Sequence, residues 1–318
     1  METRPFGKHE TVSALTLGGG GIGNIWGKTD RAERVATARE ALDSGITLID
    51  VAPSYGDGEA ERVIGEAFAG RLSEKVRITT KCRVGNLPAE EVAAHLETSL
   101  TQSLERLKLE RVDIYFLHNM IVPTGAVGDD RKSPKNLVVD EIVPTFERLM
   151  ASGRIGGWGL TGIGVPDALI GLLDQGPRPA FIQVIANLLD SPGNLHRFEG
   201  PAKPRTIMAA AQRNNVPVLG IRAAQAGSLT DLIDRPLPHD HPETRDFERA
   251  APFRAIAAET GCSAAYLAHQ YALALPAVAT VVLGVKSRAE LRECVAAATD
   301  EPMSAEVMQR IDAAVMPT

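Results

Sequence analysis

The chain has 318 residues, 44% apolar and only 4% aromatic, and its 34 basic and 40 acidic side chains leave a formal charge of −6. This is enough apolar material for one large core, and the acidic balance, with no run of Lys and Arg, offers no field for nucleic acid. No apolar run reaches the length of a membrane span, the opening METRPFGKHE lacks the apolar stretch of a signal peptide, and Cys82, Cys262 and Cys294 are odd in number, far apart and without metal-ligand spacing; the expectation is a cytosolic protein with no disulfide and no bound metal.

Short β-prone segments alternate with amphipathic ones along the chain. The first, Ala14 to Leu17, leads into the glycine run Gly18 to Gly23, and the helix that follows, Arg31 to Ser44, places Val35, Ala38 and Leu42 on one face. Thr29 or Asp30 caps that helix and Gly45 stops it, as Gly70, Gly153 and Gly176 are expected to stop later ones in the left-handed conformation that glycine tolerates. The second strand, Thr47 to Val51, carries a lone Asp50 near its end, with Tyr55 in the loop beyond. Val76 to Thr80 is closed by Lys81, and the helix Glu90 to Leu107 separates it from Val112 to Leu117, closed by His118. The loop from Asn119 to Asn136 is long enough to be a lid. Gly157 to Leu160, Phe181 to Ile185, Pro217 to Ile221 and Thr280 to Gly284 complete eight beats, with a polar stretch from Asp234 to Thr244 and extra helices, Ala264 to Leu275 and Ala305 to Val315, around the last unit. No composition shift divides the chain. The pattern predicts one domain over 1–318, built of eight βα units with extra helices near the C-terminus.

If the strands are parallel neighbours in a closed barrel, Asp50, Tyr55, Lys81 and His118 converge on the mouth where such barrels place their chemistry. A tyrosine serves as an acid near neutral pH if a nearby ammonium favours its phenolate. Lys81 supplies that charge, Asp50 holds the lysine charged and fixed, and His118 donates a second hydrogen bond to the same substrate oxygen.

These residues resemble the aldo-keto reductase superfamily over nearly the whole chain. The likeness is carried by Asp50-Val51-Ala52-Pro53-Ser54-Tyr55-Gly56 with Glu59, by Thr80-Lys81, by Asp113 to His118, by Gly153-Arg154-Ile155 leading to Gly159, by Gln183 with Asn187, and by Gly284 to Glu293. The resemblance implies a (β/α)8 TIM barrel with an N-terminal β-hairpin that binds NADP(H) in an extended pose, less readily NAD(H), and passes hydride directly to a carbonyl carbon. In this scheme Tyr55 is the general acid, Lys81 and Asp50 lower its pKa, and His118 orients the carbonyl.

The resemblance also implies cofactor contacts. Thr161 and Gln183 match the positions that hold the carboxamide. The Asn expected next is Gly162, which leaves that amide contact absent or supplied by backbone. Ile221 stands where a tyrosine commonly stacks on the nicotinamide, and Arg222 follows it, either reaching the pyrophosphate or solvated at the barrel rim. Gly284-Val285-Lys286-Ser287-Arg288 opens the last barrel helix, whose N-terminus and two cations suit the 2′-phosphate of NADP more than the bare ribose of NAD. Glu293 resembles the family's adenine contact, whereas Glu290 stands for a frequent Gln and would repel the phosphate.

Gly18-Gly19-Gly20-Gly21-Ile22-Gly23 also satisfies the dinucleotide fingerprint G-x-G-x-x-G. In a Rossmann fold a helix starts at the motif, whereas here Asn24 to Gly27 intervene before the capped helix. The glycines, Gly20 among them, are expected to shape the first barrel loop beside the nicotinamide. Trp26 in that loop and Asn119 beyond His118 are candidates for the substrate pocket. The low aromatic content points to a small or polar carbonyl compound, and nothing demands more than a monomer. An alternative from another class is a cofactor-binding module that senses redox state or binds a partner with little turnover.

Overall fold

Each of the eight β-prone runs forms a strand, buried along nearly all its length because helices cover the outside of the sheet while side chains from the strands themselves fill the inside. In the computed structural model, which describes residues 1–7, 11–27 and 29–315, the strands are β1 (Leu15–Gly18), β2 (Leu48–Asp50), β3 (Arg77–Cys82), β4 (Val112–Leu117), β5 (Ile155–Thr161), β6 (Phe181–Ile185), β7 (Val218–Ile221) and β8 (Val278–Leu283). They close in sequence order into a barrel with every neighbouring pair parallel, β8 returning to β1 through Val281 opposite Leu15. The expected hairpin is present as Thr3–Pro5 paired antiparallel with Thr11–Ser13, and its neighbour Phe6 stacks on Phe181 with ring centroids 4.3 Å apart. Phe6, Val12, Leu48, Ile114, Phe116 and Leu219 belong to the same apolar cluster.

Helices follow the strands: α1 (Arg31–Asp43), α2 (Glu59–Phe68), α3 (Ala89–Leu107), α4 (Val143–Ala151), α5 (Pro166–Gln175), α6 (Pro204–Arg213), then α7 (Pro242–Arg249), α8 (Ala251–Thr260) and α9 (Ala264–Ala274) before β8, and α10 (Arg288–Thr299) and α11 (Ala305–Val315) after it. Asp30 caps α1 by accepting from the Glu33 amide, and Gly45, Gly70 and Gly153 adopt positive φ at helix ends as expected. Gly176 differs. It caps α5 in an extended conformation, φ −94°, so glycine's left-handed freedom is not used there.

Two further expectations need correction. The glycine run is itself helical, since Gly19–Ile22 makes one turn directly after β1, so the start of a helix at the motif does not separate this fold from a Rossmann domain; the closed barrel does. Gly18 and Gly21 are small because a Cβ would lie 2.0 Å from the Leu283 carbonyl oxygen and 1.9 Å from that of Val285, where the chain leaves β8. The segment after His118 is tied down rather than loose. Met120–Val122 pairs with Lys132–Pro134, and Ile121 bridges to Gly164. No helix among the described residues is long and apolar enough to cross a membrane.

Candidate active site

Parallel register sets the site. Asp50, last residue of β2, lies opposite Thr79 of β3, and two residues later Lys81 points to the same side of its strand. Both side chains are buried, Lys81 fully. Lys81 Nζ donates to Asp50 Oδ2 at 2.7 Å, to the Val51 carbonyl at 3.1 Å and to the Tyr55 hydroxyl at 3.0 Å. Asp50 Oδ1 accepts from Thr79 Oγ1 at 2.6 Å and from Gln183 Nε2 at 2.9 Å, so each carboxylate oxygen is satisfied. His118 meets the Tyr55 ring edge-on at 5.7 Å, with Nδ1 3.3 Å from Ser54 Oγ. The four residues singled out in the sequence are therefore one cluster at the C-terminal end of the barrel.

The ionisation of this cluster departs from expectation in one respect. Burial works against the Lys81 ammonium, yet the adjacent Asp50 carboxylate and Tyr55 oxygen raise its pKa and keep it charged. Burial raises the Tyr55 pKa, the Lys81 charge opposes that, and the Asp50 charge adds to it. Thus Lys81 acts in the expected sense but Asp50 does not, and the net direction is upward. The phenol is protonated at neutral pH, beside a cation ready to stabilise the phenolate once the proton leaves. Burial, then the Lys81 and Arg83 charges, push the His118 pKa well below the ordinary range, so its imidazole is neutral.

Above the cluster opens a cavity of about 700 Å³. Asp50, Tyr55 and His118 face it; Lys81 lies behind Tyr55 and Asp50. Thr161 and Gln183 line it too, and the Thr161 hydroxyl is buried without a partner. The Gly162 N–H is not free to replace the missing Asn contact. It is already bonded to the Gln183 carbonyl at 2.6 Å, and a Cβ on Gly162 would approach that oxygen to 2.5 Å. Ile221 and Arg222 follow on the cavity wall. Arg222 adopts φ +61° and donates through Nη2 to Glu243 Oε1 at 2.6 Å, while its buried Nε has no partner. It is neither solvated at the rim nor free. Gly20 and Gly284 share a different task, since a Cβ on either would meet the Trp26 indole, at 2.3 Å and 3.3 Å. Trp26 lines the cavity with the Arg235 guanidinium 5.4 Å over its ring.

The start of α10 differs from an open anion site. The Lys286 amide donates to Glu290 Oε2 at 2.9 Å, the Arg288 amide to Glu33 Oε1 at 2.8 Å, and the Glu290 amide to Ser287 Oγ at 3.3 Å. The Lys286 ammonium pairs with Asp234 and, at 2.9 Å, with Glu290; the Arg288 guanidinium pairs with Glu33 at 2.8 Å. Lys286 lines the cavity and Arg288 does not. Glu290 thus binds the cation as well as repelling an anion. Glu293 faces the cavity while accepting from the Ser263 hydroxyl. Asn119 is 1% exposed, and both ends of its amide are committed, Oδ1 to the Val84 N–H at 2.7 Å and Nδ2 to the Asp130 carbonyl at 3.2 Å.

Sequence reasoning missed Thr79, Arg83, Arg131, Glu33 and Asp234. Arg83 had a signal, because it continues the period-two alternation of Thr79 and Lys81. Asp234 and Glu33 had none; their partners lie 52 and 255 residues away.

A family model described as the aldo/keto reductase family matches residues 14–316. An L-galactose dehydrogenase from Arabidopsis thaliana is 26% identical over 96% of this chain and 91% of its own, and a methylglyoxal reductase from Escherichia coli is 27% identical over 80% and 77%. Among solved structures, an aldo-keto reductase from Bacillus halodurans in its holo form shares the fold at TM-score 0.75 and 23% identity, covering 99% of this chain and 97% of that one. An aldo/keto reductase from Klebsiella pneumoniae, determined in complex with NADP and acetate, matches at TM-score 0.71 and 25% identity over 99% and 96%. With the family match spanning all eight barrel strands, the chain belongs to the aldo/keto reductase family of oxidoreductases.

Proposed function

We propose that the protein is an NADP(H)-dependent oxidoreductase that reduces a small or polar aldehyde or ketone, or oxidises the matching alcohol, with Tyr55 as general acid. The observation that carries this reading is the fully buried Lys81 ammonium bonded to both Asp50 and the Tyr55 hydroxyl at the floor of the cavity. A residue set built only for binding has no need of a buried cation against a phenol.

The cavity fits the cofactor. The partnerless Thr161 hydroxyl and the side-chain Oε1 of Gln183, whose Nε2 is bonded to Asp50, offer an acceptor and donor pattern suited to a carboxamide. Ile221 would pack against the nicotinamide face and Glu293 would meet the adenine. Arg222, with its orphan Nε, would meet the pyrophosphate. Lys286 and Arg288 already hold carboxylates, and a 2′-phosphate would take over those positions.

When bound, the nicotinamide supplies the hydride for the carbonyl carbon. Tyr55 gives its hydroxyl proton to the carbonyl oxygen as charge develops there, and Lys81 at 3.0 Å stabilises the phenolate left behind. Asp50, fixed by Thr79 and Gln183, keeps the ammonium charged and aimed. His118, neutral, offers a ring N–H to the same oxygen and so orients it without competing for the proton.

Titration with NADPH and NADH, followed through tryptophan fluorescence, tests the reading. NADPH should quench the emission and bind more tightly than NADH, and Lys286→Ala should weaken NADPH more than NADH. Failure to bind either nucleotide, or equal losses for both in Lys286→Ala, would overturn the cofactor assignment.

A further inference from the structure

The charge on the cavity wall is divided. Apart from Asp50, which is paired with Lys81, the carboxylates that line it are Asp231, Asp234, Glu290 and Glu293, all in segments after β7 and β8. Arg222, Arg235 and Lys286 line that part of the wall too, each paired with a carboxylate, whereas beside Tyr55 and His118 the lining adds Arg83 and Arg131 with no lining carboxylate but Asp50.

The two arginines are short of anions. Arg83 follows β3, and among the described residues its guanidinium has neither a hydrogen bond nor an ion pair. Arg131 has only a loose approach to Asp130, 3.8 Å, in which the carboxylate is 81% exposed. Such an exposed pair is worth little and is readily exchanged. Partial burial and then the Arg131 charge push the Arg83 pKa down, with Arg197 adding to the effect and Asp130 opposing it. The Arg83 charge also reaches both Tyr55 and His118, acting to lower each pKa. Arg83, exposed at its outer end, thus lines the same cavity as Tyr55 and His118.

The backbone that carries these arginines is built in. Asn119, next to His118, accepts from the amide of Val84, the residue after Arg83, and donates to the carbonyl of Asp130, the residue before Arg131. The Met120 amide bonds the Arg131 carbonyl at 2.8 Å, and Ser133 Oγ, fully buried, donates to the Gly85 carbonyl at 2.6 Å. One buried amide side chain thus stitches both arginine-bearing segments to the end of the strand that supplies His118. Two cations fixed beside a proton donor repel one another unless an anion joins them.

We propose that Arg83 and Arg131 form an oxyanion clamp, so that the substrate is an aldehyde or ketone carrying a carboxylate or phosphate, with Asn119 as the positioning residue of the clamp. This rests on the carbonyl-reductase reading above. Arginine suits the task because its planar fork meets a carboxylate or phosphate with two parallel hydrogen bonds.

The test uses the NADPH-loaded protein with matched pairs of substrates, succinic semialdehyde against its uncharged amide and glyceraldehyde 3-phosphate against glyceraldehyde. The anionic member of at least one pair should have the higher kcat/KM, and the favoured pair identifies the carboxylate or the phosphate as the group recognised. In Arg83→Gln and Arg131→Gln the ratio of anionic to neutral kcat/KM should fall by about 10- to 100-fold, mainly through KM, with Arg83→Lys recovering part of the loss. Asn119→Ala should lower the same ratio in a pH-independent way. Neutral substrates turned over as well as anionic ones, or ratios untouched in both arginine variants, would overturn the clamp while leaving the reductase reading intact. If no substrate reacts, the reductase reading fails, and calorimetric binding of succinate and of inorganic phosphate to the NADPH-loaded protein then decides the clamp: binding of either that is lost in Arg83→Gln supports it, and binding of neither to the parent overturns it.

Discussion

Lys81→Met removes the one cation that bonds the Tyr55 hydroxyl among the described residues while keeping most of the length of the side chain. A unit charge 3.0 Å from an oxygen contributes about 5 kcal/mol at an effective dielectric of about 20. Water in the open cavity reduces this, and half of it still corresponds to nearly 10²-fold in rate. Reduction of a small aldehyde should therefore slow by at least about 10²-fold in kcat, with the cofactor affinity retained. Titration of the phenol band by ultraviolet difference spectroscopy, with the Lys81→Met/Tyr55→Phe double variant as reference, should show Tyr55 ionising at higher pH than in the parent. Stability supplies a third readout. The folded-state pKa of Lys81 is raised, so its contribution is fully present below the unfolded value near 10.4 and is lost as pH climbs through the folded one. The raised Tyr55 pKa has the same sign, so the parent should lose stability in alkali, and Lys81→Met should lose less over that window. Near neutral pH the variant should be less stable by up to about 3 kcal/mol, because Asp50 loses its ion pair but keeps the Thr79 and Gln183 donors. Activity within a few-fold of the parent, or an unmoved Tyr55 titration, would refute the tuning role of Lys81.

Because His118 is held neutral, kcat/KM should show no break between about pH 6 and 7; a break there that disappears in His118→Asn would contradict that protonation state. Glu290→Gln frees Lys286 from one of its two carboxylates and should tighten NADPH about two- to fivefold in fluorescence titrations, with NADH unchanged, whereas weaker NADPH binding would assign the carboxylate a supporting role. Arg106→Leu strands the fully buried Glu61 carboxylate, which otherwise accepts from Arg106 Nε and Thr80 Oγ1, both at 2.6 Å. The expected loss is about 3 kcal/mol by denaturant unfolding, and a loss below about 1 kcal/mol would show that water or Thr80 satisfies the charge.

The eight strands were legible because each is a short apolar run bounded by turn residues. The candidate site was legible because Asp50, Lys81 and His118 each interrupt or close such a run with a single ionisable group at its C-terminal end. Strand alternation is a local property, and it fixes which residues face the barrel axis before any partner is known. The family resemblance rested on the same short motifs and holds over residues 14–316.

Tertiary structure decided what depends on distant partners. Lys286 and Arg288 read as free cations until Asp234 and Glu33 came to meet them from the units that follow the neighbouring strands β7 and β1. Asn119 read as a substrate-pocket residue and does line the cavity, but that both ends of its amide are committed to backbone from two other segments was decided by the fold. The direction of the Tyr55 pKa depended on the burial of the phenol and on the Asp50 charge beside Lys81, which a list of residue types does not contain. Local periodicity sets the elements and the side from which each side chain emerges; charge balance, burial and pairing are sums over neighbours, and only the closed barrel says who those neighbours are.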